Sequence, residues 1–122
     1  MKPDIHQVYF ILRQWATTGK PQSYTQLSLD YYAQTNNWFE PHGSWDITLG
    51  ELNTHLAAMG APALSALVIL QRNNEPGASF WGCAPNVPRR PKDNIERISQ
   101  WNSIVRLVID FKWPLVLPQE TL

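Results

Sequence analysis

Apolar residues recur along this chain at helical spacing in four places and as one solid block between the third and the fourth. Ile5, Val8, Leu12 and Trp15 lie three or four residues apart, the spacing of one helix face. Asp4 is a good cap residue ahead of them, and Gly19 with Pro21 ends the helix. Ser23-Tyr24-Thr25-Gln26 has the form of a capping box and predicts a short second helix carrying Leu27 and Tyr31. A second box, Thr48-Leu49-Gly50-Glu51, predicts a third helix that buries Leu49, Leu52, Leu56 and Met59. Gly60 closes it as a left-handed cap, with Pro62 just beyond. Asp93 with Glu96 three residues later starts the last and longest helix, whose inward stripe is expected to be Ile98, Trp101, Val105 and Val108. It should end near Phe111, before Trp113-Pro114.

The solid block is Leu64-Ser65-Ala66-Leu67-Val68-Ile69-Leu70, which stops at the polar turn Asn73-Asn74-Glu75-Pro76-Gly77 and resumes with Phe80-Trp81. Such a run broken by turn residues predicts a buried antiparallel β-hairpin. The expected fold is therefore α+β, a single domain over 1–122, with about four helices packed on one hairpin in a winged-helix-like arrangement. Two segments stand outside this regular structure. Residues 36–45 form a loop that mixes Pro41, Gly43 and two Asn with Trp38, Phe39 and Trp45. In residues 84–91 three prolines within seven residues remove backbone donors and enforce an extended, exposed arm that carries Arg89 and Arg90.

Composition narrows the function more than the pattern does. A chain of 122 residues is long enough to bury a core without disulfides, and the lone Cys83 has no partner within it. With no signal-peptide pattern at Met1-Lys2-Pro3-Asp4, a reducing, cytoplasmic setting is expected. The longest apolar run is far short of the roughly 20 residues that span a bilayer, so no membrane role is expected. Net charge is zero, which argues against a protein that lives on nucleic-acid phosphates. Residues 1–71 hold three basic and five acidic side chains, whereas 72–122 hold seven basic and five acidic, so a modest basic patch belongs to the second half. Six Trp exceed what one small core readily buries with every indole N–H paired, which marks some of them as contact residues.

Four short segments, Ser23-Tyr24-Thr25-Gln26-Leu27, Pro62-Ala63-Leu64-Ser65-Ala66-Leu67-Val68, Pro76-Gly77-Ala78-Ser79-Phe80 and Phe111-Lys112-Trp113, are spread over most of the chain. In them the protein resembles a family of small bacterial and phage proteins of uncharacterised function, a resemblance that implies no activity. The order of capped helix, helix and apolar hairpin also looks like the winged-helix part of methylated-DNA alkyltransferases, at the level of fold alone. Their Pro-Cys-His-Arg nucleophile motif is missing, because Cys83 stands between Gly82 and Ala84. The insertion over residues 32–45 also departs from a tight helix-turn-helix.

Catalytic chemistry finds little support in the residues. His6, His42 and His55 lie in separate segments, and Cys83 reads as a small residue at a strand end. His42 and Asp46 are the one pair at ligand-like spacing, better explained as turn chemistry, and Asp46 with Glu51 straddles a helix start where negative charge is favoured anyway. No metal or other cofactor is expected. The leading expectation is a non-enzymatic, bacterial or phage protein that binds a protein partner through Trp38, Phe39, Trp45, Arg89 and Arg90, with a defence or counter-defence role conceivable. Each group has a plainer reading, a satellite core under the loop and an ordinary solvated arm. The alternative is a winged-helix DNA-binding protein that uses Arg72, Arg89, Arg90 and Lys92 on phosphates. A weaker alternative is a small hydrolase or transferase built on His42, Asp46 or Cys83. The identity of the partner and the oligomeric state are not legible.

Overall fold

Asp4 caps the first helix through its carboxylate, which accepts the His6 backbone N–H at 2.9 Å. A computed structural model describes residues 2–118, and in it this helix, α1, runs Ile5–Thr18 with Val8, Ile11, Leu12 and Trp15 buried. Gly19 ends it at φ 72°, a left-handed conformation that glycine adopts without strain, and donates to the Trp15 and Ala16 carbonyls. A two-residue strand, β1 (Gln22–Ser23), leads straight into α2 (Tyr24–Thr35). The Ser23 hydroxyl accepts the Gln26 N–H at 3.0 Å, but the Gln26 amide turns away to Asp30, so the box is closed on one side only.

The third helix, α3, spans Asp46–Ala58 and starts two residues ahead of the expected Thr48 box. Trp45 occupies the cap position without a side-chain cap, and Thr48 is buried in the first turn. The far end is as the sequence predicts. Gly60 N–H donates to Ala57 and Ala61 N–H to Leu56 across a left-handed Gly60, the Schellman closure of a helix.

The expected antiparallel hairpin does not form. Leu64–Leu67 is a buried 3₁₀ turn, only Val68–Ile69 is extended as β2, and β2 pairs in parallel with β1, with Gln22 opposite Val68 and Ser23 opposite Ile69. Two physical causes are visible. Side chains already satisfy the block's backbone, since Asn53 Oδ1 accepts the Ser65 N–H at 3.4 Å and the Trp101 indole donates to the Ala66 carbonyl at 2.8 Å. The turn after β2 does close, with Leu70 N–H on the Glu75 carbonyl at 2.8 Å, but Pro76 then lacks a donor and the chain coils into a 3₁₀ turn at Ala78–Phe80. The α+β character stands, with helices dominant, and the winged arrangement lacks its wing among the described residues.

The last helix, α4 (Asn94–Asp110), is capped by Asp93, whose carboxylate accepts the Glu96 N–H at 3.0 Å. Its inner face differs from the expected stripe. Arg97, Ile104 and Val108 are buried beside a half-buried Trp101, while Ile98 is 41% exposed. Arg97, tied to Glu75, and Trp101, tied to Ala66, set the rotation of the helix. At the centre of the core the Leu64–Leu67 turn touches α1, α3 and α4. The chain then folds back over α1, where the Tyr9 hydroxyl donates to the Pro114 carbonyl at 2.6 Å and the Tyr9 and Trp113 rings meet edge to face.

Candidate functional site

The aromatic loop divides into a buried half and an exposed half. Trp45 is fully buried, its indole N–H donating to the Ser28 hydroxyl at 2.9 Å, and it meets Tyr31 and Phe39 edge to face at 5.3 and 5.7 Å. Trp45 is therefore a core residue and not the surface contact expected of it, and half-buried Phe39 packs on the same cluster. Burial is the more favourable use of this indole because Ser28 pairs its N–H. Trp38 is 46% exposed and lies edge-on to Tyr32, with centroids 6.3 Å apart. Tyr32 is 47% and Leu29 48% exposed, three residues apart on the outer face of α2. Leu29, Tyr32 and Trp38 thus supply large apolar side chains that the core does not use. Sequence reading overlooked Leu29 and Tyr32, although both fall off the Leu27–Tyr31 face of a helix that had been recognised.

The Pro-Arg segment is not extended throughout as expected: its first half closes a turn, with Val87 N–H donating to the Ala84 carbonyl at 3.0 Å, and is tied down. Val87 is buried, Asn86 Nδ2 donates to the carbonyls of Asn53 and Ala61 at 3.0 and 3.1 Å, and Gly82 N–H donates to Pro88 at 2.9 Å. Beyond that anchor Arg89, Arg90 and Lys92 are exposed. Glu75 receives Arg97 Nε on one carboxylate oxygen at 2.8 Å and Nη2 on the other at 3.3 Å. Those hydrogen bonds, then the Arg97 and Arg90 charges, hold the Glu75 carboxyl below its ordinary range against the opposing effect of burial.

Arg72 lines a separate feature, a cleft of two adjoining lobes. The outer lobe, about 320 Å³, runs from Ser23, Tyr24 and Thr25 past His42 to Leu70 and Arg72. The second, about 310 Å³, shares Tyr24, His42 and Arg72 and adds Asp46 and Ser79. Burial, reinforced by the Asp46 charge, pushes the Tyr24 phenol up to about 12. At its inner end the space beside Cys83 shrinks to about 10 Å³, room for no more than a water. Burial also raises the Cys83 thiol, and Asn53 Nδ2 contacts its sulfur at 3.5 Å. A protonated thiol with no room for a substrate is a poor nucleophile. His42 opens on the outer cleft, and His55 is engaged with the Pro118 carbonyl. Among the described residues no three His, Cys, Asp or Glu side chains gather as a metal site, and no helix is long and apolar enough to cross a membrane.

Compared with protein-family models, curated proteins and solved structures, the chain matches none.

Proposed function

We propose that this is a non-enzymatic binding protein that engages a protein partner through Leu29, Tyr32 and Trp38, with Arg89 and Arg90 as a second contact. The observation that carries the reading is the Tyr32–Trp38 pair, two edge-packed rings left nearly half exposed, with the Trp38 indole N–H held at the surface by the Glu40 carboxylate at 3.1 Å, whereas Trp15, Trp45, Trp101 and Trp113 pack in or against the core. Trp, Tyr and Arg concentrate binding energy at protein interfaces, because large rigid rings lose little entropy on contact. Zero net charge favours a protein over DNA, as does the placing of Arg72 in a cleft that Arg89, Arg90 and Lys92 do not line.

The test is capture of partners from the native host on tagged protein, followed by titration of the captured partner against variants. Trp38→Ala and Tyr32→Ala should each weaken binding by about 2 kcal/mol, a roughly 30-fold loss, with melting temperature nearly unchanged. Arg89→Ala/Arg90→Ala should lose affinity and salt dependence together. Wild-type affinity in all three variants defeats the proposal.

A further inference from the structure

The outer lobe of the cleft lies where two short strands end together. β1 and β2 run in parallel, Ser23 opposite Ile69, and the lobe is lined by the residues at and just past those two carboxyl ends: Ser23, Tyr24 and Thr25 after one, Leu70 and Arg72 after the other. The carboxyl edge of adjacent parallel strands leaves a crevice, because the chain must turn away in different directions there. Here α2 leaves one strand at once and the 70–75 turn leaves the other, and Pro41-His42 of the loop between α2 and α3 closes the third side.

The chemistry of the lining is uneven in a way that selects a ligand. Arg72 enters the lobe with no ion pair and no side-chain hydrogen bond among the described residues, and His42 faces the same space. Ser23 and Thr25 also line it, the Ser23 hydroxyl already accepting the Gln26 N–H at 3.0 Å, while Ile69, Leu70 and Pro41 supply apolar surface; the Tyr24 hydroxyl lies beside Gly77, on the second lobe. The one carboxylate of the cleft, Asp46, belongs to the second lobe and not to this one, so an anion is favoured in the first and disfavoured in the second. The amino end of α2 adds a field of the same sign as Arg72. A volume near 320 Å³ is at the small end of ligand pockets, enough for one charged group and a compact apolar body.

We propose that this lobe is a small-molecule site for an oxyanion carried on a small apolar body, with the guanidinium of Arg72 as its main anchor and His42 and Thr25 completing the contacts. This site is independent of the Leu29–Tyr32–Trp38 surface. Phosphate esters and carboxylic acids share the required chemistry, and the test separates them.

Isotope-labelled protein is titrated at constant ionic strength with phenyl phosphate, benzoate and neutral benzyl alcohol, while amide shifts are followed. Saturable shifts confined to residues 23–25, 42 and 69–72 with either anion support the site, and the tighter anion tells which source of the oxyanion it prefers. Benzyl alcohol should bind at least about tenfold more weakly, the loss of one charge-assisted contact. Arg72→Gln should weaken the anion by about tenfold or more with an unchanged melt, since the side chain is exposed and unpaired. Arg106→Gln, an exposed arginine on α4, should change nothing. Linear, unsaturating shifts with both anions overturn the proposal, as does saturation that is equal in Arg72→Gln or equal for benzyl alcohol.

Discussion

The indole N–H of Trp45 donates to the hydroxyl of Ser28 at 2.9 Å, and neither side chain is reached by solvent. The bond joins the start of α3 to the middle of α2 and holds the ring on which Tyr31 and Phe39 pack. Ser28→Ala should therefore cost about 1–3 kcal/mol, the penalty for leaving a buried donor unpaired. Trp45→Ala should cost about 3–5 kcal/mol through the cavity it leaves. Urea unfolding of both measures the effects. A loss under about 0.5 kcal/mol in Trp45→Ala would mean that the ring is not in the core.

Thr48 poses the opposite case. Its hydroxyl is buried in the first turn of α3 and has no hydrogen-bond partner. Valine has nearly the same shape without the unpaired group. Thr48→Val should raise stability by about 1 kcal/mol, visible as a higher melting temperature. A loss of that size would show that the hydroxyl is paired in solution.

What the sequence made legible was whatever local chemistry decides. Asp4, Ser23 and Asp93 cap helices where they were expected to, and Gly19 and Gly60 end them, because a short polar side chain or a left-handed glycine acts on its own backbone neighbours. The 64–70 block was misread because an unbroken apolar run carries no period, and its hydrogen-bond partners come from Asn53 and Trp101, 12 and 35 residues away. The stripe of α4 was misread for a related reason. Arg97 looks like a surface residue in sequence, yet pairing with Glu75, 22 positions earlier, makes its burial tolerable and turns Ile98 outward. In the loop, Trp38 and Trp45 look alike in composition. Ser28 separates them, and no local pattern links Ser28 to position 45. The cleft was invisible as a unit, since Thr25, His42 and Arg72 meet only through the parallel pairing of β1 with β2.

The Glu75–Arg97 pair gives a pH dependence of definite sign. The Glu75 carboxyl is held below its ordinary value of 4.5 in the folded protein, first by the Arg97 hydrogen bond and then by charge. A depressed folded-state value means that the unfolded chain takes up the proton first, so the pair's contribution is complete above that ordinary value and fades as pH falls through the lower folded value. Urea midpoints measured from neutral pH down into the acid range should fall for the wild type. In Glu75→Gln the midpoint should start lower at neutral pH, and the gap to wild type should narrow on acidification. A gap that stays constant would remove the carboxylate from the effect.

Asn53 ties three segments together from inside α3. Its Nδ2 donates to the Ser65 hydroxyl at 2.6 Å and contacts Cys83 Sγ at 3.5 Å, its Oδ1 accepts the Ser65 N–H, and its carbonyl accepts Asn86. The half-buried thiol of Cys83 sits at the edge of this network, raised by burial and without room for a reagent on its cleft side. Only the thiolate reacts, so Cys83 should be alkylated at mildly alkaline pH at least about tenfold more slowly in the native protein than in denaturing urea. Asn53→Ala leaves the N–H and the hydroxyl of Ser65 without their Asn53 partner and should cost about 1–3 kcal/mol or more. It should also speed alkylation of Cys83, because the thiol then becomes accessible through easier opening of the surrounding structure. Following thiol modification against urea concentration in both proteins tests the two statements together. If native Cys83 reacts as fast as the unfolded chain, or if Asn53→Ala protects it, then the thiol is open to solvent and Asn53 does not hold the 3₁₀ turn and the arm against α3.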